Sequence, residues 1–177
     1  MGTVNARSTD DRRDPGRYAR LLATLVIATI TVGCTGSASD PGVGTEFAAK
    51  AVAVCDHARE LKQAQGAFPL PDFNPTQPDV SKFPEVAVFL RKTATTFETW
   101  HSEMQALGEP SSGQAAWADL LDQVKRHVDL NADQIAAAGR GDSATFSKDY
   151  FAGQQTQAAL LQAAKAAGVP ECAKVDR

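Results

Sequence analysis

Four stretches of this chain place apolar residues three and four positions apart, and each stretch stops at a glycine. Residues at that spacing share one face of an α-helix. The first stretch, 45–65, aligns Phe47, Ala51, Val54, Ala58 and Leu61 and ends at Gly66. The second, 81–107, aligns Phe83, Val86, Leu90, Phe97, Trp100, Met104 and Leu107. Gly108 can take the left-handed conformation that closes this helix, and Pro110 forbids its continuation. The third opens at Ser111-Ser112-Gly113-Gln114, where Ser111 and Gln114 predict a capping box. It carries Trp117, Leu120, Leu121, Val124, Val128 and Ile135 and is expected to end at Gly139. The fourth is expected to start at Asp142, a good N-cap, and to finish at Gly168-Val169-Pro170. Its stripe is Phe146, Tyr150, Leu160, Leu161 and Ala164, and Gly153 and Gln157 interrupt it at the middle. No segment alternates or clusters β-branched residues as a strand does.

These features predict an all-α fold, a four-helix bundle with a close-packed, alanine-rich interior. The connections at 108–111 and 139–142 are too short for anything but antiparallel neighbours. Segment 66–80 differs, because it contains Pro69, Pro71, Pro75 and Pro78. Extended at about 3.1 Å per residue, it can run the length of a ~30 Å helix. Helix 1 is therefore free to lie parallel or antiparallel to helix 2.

Ahead of the bundle, five arginines (Arg7, Arg12, Arg13, Arg17, Arg20) precede a 12-residue apolar run at 21–32. Twelve helical residues span about 18 Å, well short of roughly 30 Å of hydrocarbon. Residues Gly33 to Ser37 do not lengthen the run, so an export signal at 1–33 is favoured over a membrane anchor. Ile30-Thr31-Val32-Gly33-Cys34 resembles a bacterial lipobox, which implies lipidation of Cys34 after cleavage; simple secretion is the alternative. A single acyl chain holds a protein to a membrane only marginally, whereas a two-chain group gives lasting attachment. Residues 34–44 then read as a flexible tether and 45–177 as the domain.

Cleavage before Cys34 leaves 144 residues, one domain's worth, with 13 basic against 18 acidic side chains. That mild acidity, without a basic stripe, argues against a nucleic-acid partner. With Cys34 consumed by lipid, Cys55 and Cys172 remain as an even pair, which outside the cytoplasm is expected to form a disulfide. A metal thiolate pair or a reactive thiol has no supporting neighbours, since there is no CxxC and no histidine spaced to complete a zinc site.

Four short motifs, Ala51-Val52-Ala53-Val54-Cys55, Leu107-Gly108-Glu109-Pro110, Gly141-Asp142 and Gly168-Val169-Pro170-Glu171-Cys172, are spread over positions 45 to 173. On these the chain resembles a group of uncharacterised actinobacterial exported proteins. The resemblance implies an exported helical bundle with paired first-helix and C-terminal cysteines. It implies no activity, so no catalytic residue carries over.

Glu98-Thr99-Trp100-His101 is an ExxH pair on a predicted bundle helix, the spacing of carboxylate-bridged di-iron sites. Such a site needs a second pair, and neither His57 nor His127 has an acid three residues before it. The bland reading, a half-exposed histidine beside a core tryptophan, is preferred, and no metal or cofactor is expected. Charged neighbours place His57 and His127 on solvated surface. Trp100 and Trp117 suit ligand stacking, but on apolar stripes they read first as core. There is no GxSxG elbow, SxxK pair or glycine-rich phosphate loop, so no catalytic constellation emerges.

The remaining unusual feature is Ala67-Phe68-Pro69-Leu70-Pro71-Asp72-Phe73-Asn74-Pro75. Phe68, Leu70 and Phe73 must either pack down as a lid or stand out as a recognition surface, since rigid Pro-rich segments lose little entropy on binding. Three functions follow as expectations. The first is a lipid-anchored binding or interaction module on the outer membrane face, with an envelope protein or lipid as partner. The alternatives are a metal or small-molecule enzyme around Glu98 and His101, and a structural envelope component.

Overall fold

The computed structural model describes residues 42–175. Four helices account for most of them: α1 (Thr45–Gln65), α2 (Phe83–Ala106), α3 (Gln114–Arg140) and α4 (Ser143–Ala166). Short 3-10 turns lie at Val80–Lys82, before α2, and at Pro170–Lys174, after α4. Among the described residues there is no strand, so the fold is the all-α bundle that the periodicity predicts. The export signal, Cys34 and most of the predicted tether lie outside the described residues.

Successive helices pack side by side, α1 on α2, α2 on α3 and α3 on α4. The C-terminal turn lies against both α1 and α4. Cys55 of α1 sits level with Trp100 and Met104 of α2, whereas Gln65 reaches back to Phe89 and Thr93. Helix α1 therefore runs antiparallel to α2, the orientation that the long connection leaves open.

The core forms in two parts. The larger gathers Ala51, Cys55 and Ala58 of α1 around Trp100, Trp117, Leu120 and Leu160. The smaller lies beyond the end of α1, where Phe83, Val86, Ala87, Ala137, Ala138 and Phe146 meet. Helix α1 stops level with Phe89, so it leaves the first turns of α2 without a helical neighbour on that side. The Pro-rich loop occupies this place: Phe68 stands edge-on to Phe89 at 5.0 Å, and Phe73 edge-on to Phe146 at 5.8 Å. Four prolines keep the loop from continuing α1, so its rings make the packing that a longer helix would otherwise supply.

The helix ends confirm some expectations and correct others. Asp142 caps α4, accepting the Thr145 N–H at 3.0 Å. The capping box at Ser111 and Gln114 does not form; α3 begins behind Gly113, whose φ of 68° carries the chain around the corner without a side-chain cap. Ser112 instead donates its hydroxyl to the Gly42 carbonyl. Helix α3 also runs past Gly139 and ends at Gly141, with φ 68°. There the Asp142 N–H bonds to Ala137 O at 2.9 Å and the Gly141 N–H to Ala138 O at 3.2 Å, a Schellman motif. Two residues thus close α3 and open α4.

Residues 42–44, the end of the predicted tether, pack into the bundle. Val43 is buried, and its N–H bonds to Ala167 O at 3.1 Å. A Cβ on Gly42 would lie 3.1 Å from that same oxygen, so a larger residue there would press on the foot of α4.

Candidate functional site

The interruption in the α4 stripe has a structural meaning. Between the two apolar clusters lies a layer of buried polar side chains: Thr93 and Thr96 from α2, His127 and Asn131 from α3, Asp149 and Thr156 from α4. Beside it opens a cavity of about 200 Å³ whose lining includes Phe97, His127, Asn131, Asp149, Tyr150 and Gly153. A Cβ on Gly153 would meet nothing within 4 Å. A glycine inside a helix costs roughly 0.5–1 kcal/mol relative to alanine. Here it leaves space where the bundle would otherwise close.

Most of this polar layer is satisfied within its own helix. Thr93 donates to Phe89 O, Thr96 to Lys92 O, Thr156 to Ala152 O and Asn131 to His127 O. Asp149 is not satisfied in this way. It is 8 % exposed, and its Oδ2 is buried without a hydrogen-bond partner among the described residues. Burial chiefly, then repulsion from Asp133, holds its carboxyl above the usual aspartate value; Lys148 and Arg140 oppose the rise and Asp142 adds to it.

A group whose pKa is raised on folding stabilises the fold below its unfolded value and loses that contribution as pH rises through the folded value. Asp149→Asn is therefore expected to raise the melting temperature at pH 7. The gain is roughly 3 °C, the size of an ~1 kcal/mol relief in a domain of this length. In acid, with the wild-type carboxyl protonated below its ordinary value of 3.8, the gap closes. Thermal melts of both proteins across that range check it, and an unchanged or lower mutant melting temperature at pH 7 contradicts it.

Against this cavity lies a second one of about 220 Å³, roofed by the Pro-rich loop. Its walls are mainly apolar, with Phe68, Phe73, Pro75, Phe89 and Phe146 among them. Gln134 and Tyr150 belong to both cavities, so an aromatic pocket adjoins a polar one that contains Asp149.

Of the residues singled out by sequence, Phe68 and Phe73 line the apolar cavity and are half-buried, as a lid requires. Leu70 packs against the smaller core cluster but lines a separate cleft with Pro71 and Asp72. Cys55 and Cys172 form the expected disulfide, with an S–S distance of 2.02 Å. Trp100 and Trp117 are core, the latter with Phe47 edge-on at 4.8 Å.

The histidines do not converge. His57 is exposed, with Nδ1 2.9 Å from Glu103 Oε2, a contact that raises its pKa. His101 is half-buried toward α3, where burial and then Lys125 lower its pKa against Asp129 and Asp122, while Glu98 is exposed. Among the described residues no three His, Cys, Asp or Glu side chains gather around one point. His127 corrects the sequence expectation of a solvated histidine. It is buried and stacks on Phe97 at 5.6 Å. Its position between Val124 and Asn131, three and four residues away, puts it on the inner face, while Lys125 and Arg126 turn outward.

The sequence reading overlooks Asn131, Gln134 and Asp149. A signal for them was present: Gly153 and Gln157 break an apolar stripe, and on the inner face of a helix such a break marks a polar cavity as readily as a weak helix. No protein-family model, curated protein or solved structure matches the chain.

Proposed function

We propose that this chain is a lipid-anchored binding module on the extracytoplasmic face of a membrane, taking a small molecule into the cavity pair beneath the Pro-rich loop. One observation carries the binding half of this reading. The α4 face forgoes core packing at Asp149 and Gly153 and lines a cavity instead. Pockets of this type, apolar with a few convergent polar groups, are the usual form of small-molecule sites. The placement half rests on the basic and apolar leader and the lipobox-like run before Cys34. The Cys55–Cys172 bridge agrees with an oxidising compartment. No described helix is long and apolar enough to cross a membrane, so attachment on this reading falls to the lipid.

A photoreactive phenylalanine in place of Phe73, activated in intact cells, tests the binding half. Intact-mass analysis is expected to find a discrete small-molecule adduct on the purified protein; crosslinks only to bulk membrane protein overturn it. Fractionation tests the placement. Processed protein in the membrane fraction, released by Cys34→Ala, is the expected result, and full-length chain in cytosol with reduced cysteines contradicts it.

A further inference from the structure

We infer that the paired cavities take an organic cation, its ammonium group against Asp149 and its apolar body among the rings of α2 and the loop. This rests on the binding reading above and adds the ligand's chemistry. Asp149 is the anchor, a residue more than nine-tenths buried that lines the cavity, with its Oδ2 buried and unpartnered among the described residues. The hydroxyls of Thr93, Thr96 and Thr156 and the amide of Asn131 are committed to backbone carbonyls of their own helices. Oδ2 receives no donor among the described residues, and a cationic donor brought by a ligand makes the strongest such bond.

The surroundings favour positive charge over negative. The ionised groups acting on Asp149 are the acids Asp133 and Asp142 and the bases Lys148 and Arg140, which leaves the carboxylate itself as the excess charge. His127 shares the cavity wall. A bound anion would meet Asp149 across a desolvated space and be repelled. Aromatic rings line the same space, Phe97 and Tyr150 in the polar cavity and Phe68, Phe73, Phe89 and Phe146 in the apolar one. Ring faces attract cations. Size fits too. An apolar cavity of about 150 Å³ accommodates benzene, and the loop-roofed cavity is about 220 Å³. An amine carrying one phenyl ring or a short alkyl chain matches both halves.

Two probes that share a body and differ in the head test this: 2-phenylethylammonium and 2-phenylethanol, titrated at pH 7 and followed by the ring signals of Tyr150 and Phe73. The cation is expected to bind about tenfold tighter or more. Asp149→Asn removes that preference while the alcohol's affinity stays unchanged. Gly153→Leu, which grows into open space, blocks both probes without lowering the melting temperature. Equal affinities in the wild type, or a preference that survives in folded Asp149→Asn, overturn the cation assignment but leave a small-molecule site standing. If neither probe moves the ring signals, the cavities are not a site of this kind and both readings fall together. Melting curves of each variant separate lost binding from lost folding.

Discussion

Replacing Cys55 by serine is expected to lower stability by roughly 4–5 kcal/mol, a fall in melting temperature on the order of 12–20 °C. The bridge joins residues 117 positions apart, so without it the unfolded chain regains nearly all the freedom of the domain. Both sulfurs are fully buried. The Cys55 sulfur accepts the Trp100 indole N–H at 3.4 Å and lies 3.7 Å from the Met104 sulfur. The bond also fastens the C-terminal turn where it lies against both α1 and α4. Reductant should bring the wild type down to the mutant's level and leave the mutant unmoved. Equal melting temperatures without reductant would refute the bridge as a stabilising element.

The second large effect belongs to Phe146→Ala, for which a loss of about 3–5 kcal/mol is expected from the emptied volume. Phe146 is buried where three elements meet, 5.0 Å from the ring of Phe83 and 5.8 Å from that of Phe73. Removing it therefore undermines both the smaller core cluster and the loop seated on it. Hydrogen exchange should quicken at the Phe73 and Gln77 amides, which bond to Leu70 O and Asn74 O within the loop. Phe151→Ala is the control, since that ring is half-exposed and its loss should be nearly silent. If Phe146→Ala destabilises the domain yet loop exchange does not change, the loop holds itself together and is not a lid resting on this ring.

Helix existence was readable because each apolar stripe is long and regular, and α1 begins and ends where its spacing and Gly66 place it. The ends of α3 were not, for a local reason. Glycines at 139 and 141 look equivalent in sequence, but only Gly141 has the positive φ that turns the chain into Asp142. The box at Ser111 failed because Gly113, with φ 68°, stands directly before α3, so Ser111 lies two residues outside the position a box requires.

The site was hidden by the same averaging. His127 sits beside two outward charges, so a window of neighbours misplaces it, whereas its spacing from Val124 and Asn131 does not. Asp149 lies next to Lys148 and looks like ordinary helix surface, although its spacing of three from Phe146 turns it inward while Lys148 faces out. Phe68 and Phe73 were recognisable as anomalies, but their seat on Phe89, Phe83 and Phe146 depends on how far α1 reaches.

The seating of Gly42 and Val43 against the foot of α4 fixes the point from which a leash would leave the bundle. The chain comes in at the pole formed by the beginnings of α1 and α3 and the finish of α4, while the proline roof belongs to the other pole, beside the beginnings of α2 and α4. From Cys34 to Gly42 the backbone reaches at most about 28 Å. On the proposed anchor the proline roof is therefore the part of the domain farthest, along the helices, from the point of attachment.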